Sequence, residues 1–289
     1  MKIRISVVQY ELKPISGVGQ FKDQVIYNLE VAKDMGAQVV VFPEFLTTQL
    51  MSFFLPTTCK EAIRNLSEFT REYLDFFTRS AANYQLHILG GTHITCNGEN
   101  IYNTAHFFFP DGRVYTQDKV HLTPTERQDW RVTPGNRFEV FSFLGTTAAI
   151  LTCYDIEFPE AARLAAQQGA KIIFCPSCTD DRTGFHRVRY CCHARTIENQ
   201  LYVVTTGTVG QLPGVRFMES NFGQGALLCP NDIPFARDGI IVQGEINQPM
   251  VVTGDLDMEL LEQSRISGSV SPWRDRRLDL YGEIKSREL

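Results

Sequence analysis

The chain lacks any apolar run near the roughly 18 residues that a membrane-spanning helix requires, so no transmembrane segment is expected. Its first residues, Met1-Lys-Ile-Arg-Ile-Ser-Val-Val-Gln9, alternate and carry a charge at Arg4, without the continuous apolar core of a secretory leader. They read as a strand. The expected compartment is therefore the cytoplasm, where thiols stay reduced, and the eight cysteines are read as thiols rather than a disulfide framework. Blocks of like charge are also missing. The net charge is −5, and the densest basic stretch, Arg274-Asp-Arg276-Arg277, is short and interrupted by an acid. Nucleic acid and anionic membranes are thus not expected as partners. There is no Pro/Gly/Ser-rich linker, no internal repeat and no low-complexity segment, so residues 1–289 are read as a single domain. With 43% of residues hydrophobic and 21% charged, that domain can bury a sizeable core.

Apolar runs and helical spacings alternate along the chain. Lys2 to Gln9 and Gln38 to Phe42 read as strands, the second apolar enough to be covered on both faces. Between them, Phe21, Val25, Leu29 and Ala32 recur at helical spacing over Gln20 to Met35, and Gly36 fits the stop. Glu61 to Asn83 reads as one helix. Leu86 to Thr95 and Ile101 to Phe109 read as strands around an Asn-Gly-Glu-Asn turn, and Arg113 to Gln117 as a strand after Pro110-Asp-Gly112. Phe138 to Phe143 and Thr146 to Thr152 suggest a hairpin. Helices over Pro159 to Gln168 and Phe185 to Asn199 alternate with strands over Lys171 to Phe174 and Leu201 to Thr206. Gly225 to Leu228 and Met250 to Leu256 are late strands. Helix-connected strands mixed with tight hairpins imply an α/β class with mixed sheets and helices on their outer faces.

Three strand ends carry reactive groups. The apolar run Ala148-Ala-Ile-Leu-Thr152 leads straight into Cys153, and Pro159 opens a helix shortly after. Such an elbow projects a side chain from the sheet and leaves free backbone N–H groups beside it, ready for an oxyanion. A helix N-terminus there would also lower the thiol pKa. Taken alone, Cys153 reads equally as a buried structural cysteine. At the second end, Val39-Val-Val-Phe42-Pro43 leads into Glu44 among Phe42, Phe45 and Leu46. Partial desolvation there would raise the carboxyl pKa, which suits a group that accepts and donates protons, although an edge-of-sheet solvated glutamate fits too. At the third, Lys119 follows Thr116-Gln-Asp118 and is either a stabiliser of negative charge or a surface lysine.

The ordered set Phe42-Pro-Glu44, Lys119-Val-His-Leu122, Cys153-Tyr-Asp155 and Phe158-Pro-Glu160 resembles the nitrilase superfamily, the carbon–nitrogen hydrolases. Tyr102-Asn-Thr-Ala105, Pro110-Asp-Gly112, Thr133-Pro-Gly135, Arg195-Thr-Ile-Glu198-Asn199 and Arg277-Leu-Asp-Leu-Tyr281 fit as well, so the resemblance covers nearly the whole chain. It implies a four-layer α-β-β-α sandwich and a Glu44–Lys119–Cys153 triad. It implies a second acid, best matched by Glu126, that orients Lys119 or the substrate. Subunits of this kind pair through helices, so a homodimer or larger homo-oligomer is expected. The implied chemistry is cofactor-free and metal-free hydrolysis of a small linear amide through a thioester on Cys153, with the oxyanion held by Lys119 and the Tyr154 backbone N–H. An N-carbamoyl substrate is the alternative. A nitrilase ranks below both, because nitrile hydrolysers of the family carry Trp-Glu after the cysteine where this chain has Tyr154-Asp155. A binding protein that kept the fold without activity is the most remote reading. Two further departures are Glu157 in place of a common arginine, which leaves the substrate charge preference open, and Arg277-Leu278 in place of Arg-Pro.

Other features are weighed on the residues themselves. Cys175-Pro-Ser-Cys178 has C-x-x-C spacing but follows a strand and has no second copy, so Ser177, Cys178 and Thr179 are expected to line the pocket rather than hold a metal. Thr47-Thr-Gln-Leu50-Met51-Ser-Phe53-Phe54-Leu55 reads as an apolar loop forming pocket wall, oligomer contact or core. His121 is read as an orienting or packed histidine.

Overall fold

A computed structural model describes residues 1–53 and 59–281. The first sheet has strand order β5-β4-β3-β2-β1-β12. In chain order its strands are β1 (Lys2–Leu12), β2 (Val39–Val41), β3 (His87–Asn97), β4 (Asn100–Phe108) and β5 (Val114–Asp118), closed by β12 (Met250–Asp257). The second sheet is β6-β7-β8-β9-β10-β11. It comprises β6 (Val140–Phe143), β7 (Thr146–Ile150), β8 (Ile172–Ser177), β9 (Tyr202–Gly210), β10 (Ala226–Leu228) and β11 (Ile240–Gln243). Both sheets mix parallel and antiparallel pairs. They are joined where the end of β1 pairs with β9, Tyr10 opposite Thr208 and Leu12 opposite Gly210.

Helices cover the outer faces. On the first sheet lie α1 (Val18–Asp34), α2 (Cys59–Leu66) and α3 (Thr70–Tyr84); on the second lie α4 (Pro159–Gln167) and α5 (Arg182–Asn199). Two further helices, α6 (Met258–Ser267) and α7 (Leu278–Tyr281), end the described chain. The layers follow from side-chain alternation. Ile3, Ile5 and Val7 of β1 pack between the sheets with Phe107, Ile150, Phe174 and Val204, while Val8 and Tyr10 face α1. Helix α1 buries Phe21, Val25, Leu29 and Ala32, the stripe its spacing foretold. The α-β-β-α layering expected from the resemblance is what is seen.

Several boundaries differ from the sequence reading. The helix expected over 61–83 breaks into α2 and α3 around a 3-10 turn at Ser67–Phe69. Ser67 donates its hydroxyl to the Arg64 carbonyl and Thr70 to the Ser67 carbonyl, local bonds that compete with the helical ladder. The stretch after Glu44 is a 3-10 segment, Leu46–Phe53, whose Leu46, Leu50 and Met51 enter the core beneath α1. It is core rather than pocket wall; Phe54 and Leu55 fall outside the described residues. Strand β11 and helix α6 were absent from the sequence reading.

Candidate active site

The parallel strands of both sheets point their C-terminal ends to one side, the usual place for a ligand in α/β sheets. Beyond β2 the chain turns sharply at Glu44, and Phe45 has a left-handed φ of 56°. The turn fits because β3 bulges opposite it, its register with β4 shifting between Leu89 and Thr92. Gly91, with φ of 70°, lies so close that a Cβ there would sit 2.1 Å from the Pro43 carbonyl oxygen. Thr92 then accepts the Phe45 N–H on its hydroxyl at 2.9 Å.

Beyond β7 the chain makes the expected elbow. Cys153 itself has φ of 48°, an uncommon conformation for a residue with a side chain, and it opens a 3-10 turn that runs to Glu157. Asp155, fully buried within that turn, accepts the His121 backbone N–H at 2.7 Å and meets the His121 ring nitrogen at 2.9 Å. The ring also stacks on Phe158 at 3.6 Å between centroids. His121 is thus a packed residue that joins the cysteine elbow to the segment carrying Lys119.

These ends bring together groups distant in sequence. The Lys119 ammonium, 1% exposed, donates to Glu44 Oε1 at 2.8 Å and to Glu126 Oε2 at 2.7 Å. Glu44 Oε2 accepts the Cys178 backbone N–H at 3.0 Å, and the Cys153 thiol points at the Cys178 carbonyl at 3.7 Å. Glu126 stands in a short π-helical segment, Thr125–Trp130, and also takes the Thr123 backbone N–H and hydroxyl. Asn103 was not singled out from sequence. Its Nδ2 donates to Glu44 Oε1 at 2.9 Å and to Glu126 Oε1 at 3.0 Å, bridging the two acids. The only sequence trace of this is its place in the Tyr102-Asn-Thr-Ala105 word.

Burial pushes the Glu44 carboxyl up to about 7, against the pull of Lys119 and of a hydrogen bond with Cys153, and with a push from Glu126. For Lys119, burial works toward neutralising the amine, but Glu126 and Glu44 outweigh it and hold the ammonium well above its ordinary value. Burial, then Glu44, pushes the Cys153 thiol well up, despite Lys119 and the Cys178 carbonyl contact. This corrects the expected depression by a helix N-terminus. The elbow enters a five-residue 3-10 turn, and α4 starts only at Pro159. A neutral thiol beside a basic carboxylate can pass its proton as it attacks, without resting as a thiolate.

The groups face a cavity of about 520 Å³, within the usual range for small ligands. Phe45, Trp130, Phe217 and Met218 form an apolar wall, with Trp130 edge-on to Phe45 at 5.0 Å. Tyr154, Cys178 and Thr179 line the cavity. Ser177, expected there too, does not: it is still within β8 and lines a separate small void with Phe185 and Thr205, its hydroxyl directed at the Cys175 carbonyl. Side chains alternate along a strand, so neighbours cannot share a face. The Cys175 thiol contacts Ser177 and the Cys178 thiol contacts Asn221, so the C-x-x-C cysteines make no pair. A separate groove between α1 and α3 contains none of the groups above.

The fold is shared with solved carbon–nitrogen hydrolases. The chain belongs to the carbon–nitrogen hydrolase family, whose model matches residues 4–266. A probable hydrolase of Bacillus subtilis (strain 168), YhcX, is 46% identical over 279 residues, covering 96% of this chain and 54% of that protein. The chain therefore spans about half the length of that relative. An omega-amidase of Xenopus tropicalis is 24% identical and covers 97% of both chains. Among solved structures, a carbon–nitrogen hydrolase from Helicobacter pylori G27 superposes with a TM-score of 0.81 at 21% identity, covering 99% of each chain.

Proposed function

We propose that the chain hydrolyses a small linear amide to a carboxylic acid and ammonia through a thioester on Cys153. One observation carries this reading: Glu44, Lys119 and Cys153 meet at one cavity although they leave different strands in two sheets. Glu44 takes the thiol proton as sulfur attacks the carbonyl carbon. The oxyanion is held by the Tyr154 N–H, in the first turn where such groups lack an intrahelical acceptor, and by the Lys119 N–H that the two carboxylates leave over. The C–N bond breaks, Glu44 gives its proton to the departing nitrogen, and the acyl group remains on sulfur. Glu44 then takes a proton from water, hydroxide attacks the thioester, and the proton returns to sulfur as the C–S bond breaks. Glu126 and Asn103 hold Lys119 and Glu44 in place. Covalent catalysis of this kind divides one hard step into two and calls on no cofactor. Removing an oxyanion donor costs roughly 100- to 1000-fold in rate.

Intact mass after brief mixing with an amide tests the proposal. An acyl adduct is expected on the wild type and none on Cys153→Ala; an adduct that persists in the variant rules out the nucleophile. Carbon dioxide released alongside ammonia would mark an N-carbamoyl substrate instead. We infer also that the chain works as a homodimer in a reducing compartment, the cytoplasm. Leu164 on α4 and Tyr190 and Ile197 on α5 are exposed apolar residues on the outer helix layer, and the seven described cysteines are free thiols.

A further inference from the structure

The proposed reaction leaves open what the far end of the substrate carries, and the cavity rim bears on that. Glu157 closes the 3-10 turn that Cys153 opens. At about 2 Å of rise per residue, the two lie roughly 8 Å apart along that turn. The Glu157 side chain is 17% exposed, and Arg187 of α5 approaches it at 3.4 Å while remaining 59% exposed itself. Asp180, on the segment after β8, is a second rim carboxylate. The rim thus sets two carboxylates against one guanidinium already paired to one of them, a net of one negative charge. Deeper in, Lys119 and Glu126 cancel, and Glu44 adds negative charge when ionised. The cavity wall of Phe45, Trp130 and Phe217 is apolar and suits methylenes.

We infer that Glu157, supported by Asp180, selects short linear amides whose distal end is an ammonium, and that the rim repels substrates ending in a carboxylate. This rests on the amide-hydrolase reading above. An entering ammonium takes the place of Arg187 on Glu157, and the guanidinium, already largely in contact with water, swings outward. Glu157, being mostly buried, is screened less by salt than rim groups in full contact with water.

Three primary amides of equal length test this: one ending in an amine, one in a methyl group and one in a carboxylate. Ammonia release gives kcat/KM on the wild type, and calorimetry on Cys153→Ala gives binding without turnover. The amine is expected to bind about 10- to 100-fold more tightly than the carboxylate, the range of one charged hydrogen bond. Glu157→Gln should cut the amine-to-methyl ratio about tenfold, and Glu157→Arg should reverse the order of amine and carboxylate. Equal or tighter binding of the carboxylate, or a ratio indifferent to Glu157, overturns the inference. Selective binding to Cys153→Ala with no wild-type turnover of any amide would support the charge selection and sink the hydrolase reading. Turnover without charge preference would do the reverse.

Discussion

In the proposed cycle Glu44 takes a proton from sulfur and later gives one to nitrogen. A carboxyl pushed up to about 7 by burial suits both tasks near neutrality. Because Glu44 must be ionised to accept the first proton, kcat/KM should fall about tenfold per pH unit below about pH 7. A profile flat down to about pH 5 would remove Glu44 from the proton path. Asn103 tunes the same group. Its amide donates to the Glu44 carboxylate at 2.9 Å, and a hydrogen bond to the charged form lowers a pKa. Asn103→Leu should therefore move the acid limb upward by about one unit. A variant that loses only thermal stability, with its limb unmoved, would make Asn103 structural. Much of this residue-level site was legible in sequence. Glu44, Lys119 and Cys153 each announce themselves as a reactive group directly after a strand. Asn103 does not, because it sits inside β4 and gains its role only from the acids that the fold brings to it.

At the scale of elements, the Glu44 turn depends on a bulge in the neighbouring strand. Gly91→Ala would place a methyl group against the Pro43 carbonyl and force a side-chain residue to hold φ of 70°. The expected cost is about 2–3 kcal/mol, read as a lowered melting temperature, with a fall in kcat as Glu44 shifts. Unchanged kcat and melting temperature would mean that the bulge does not position the turn. Gly91 shows in the sequence only as a small residue in a strand, since the reason for it is the Pro43 carbonyl, far away along the chain. Similarly, α6 is capped by Asp257, whose carboxylate accepts the Glu259 and Leu260 N–H groups. That capping signal is local and could have been read. By contrast, β11 is short and only half-buried, without the alternation that marks a strand.

Across the whole molecule, the helix layer over the second sheet leaves Tyr190 66% exposed and Ile197 41% exposed, seven positions apart on α5 and so on one face. If copies of the chain pair through this layer, sedimentation should show a dimer, and Tyr190→Glu should shift it toward monomer. A monomeric wild type at micromolar concentration would remove the pairing proposal.

The sequence alone determined the class of fold and the chemistry on offer. Helix stripes, strand runs and groups at strand ends are local patterns, set by side-chain period and turn residues. Only the tertiary structure decided which groups share a cavity and in what state. It turned Ser177 away while bringing in Cys178, bridged Glu44 and Glu126 through Asn103, and raised the Cys153 thiol rather than lowering it. Desolvation and hydrogen bonding between distant segments depend on packing, and packing is a property of the folded chain as a whole.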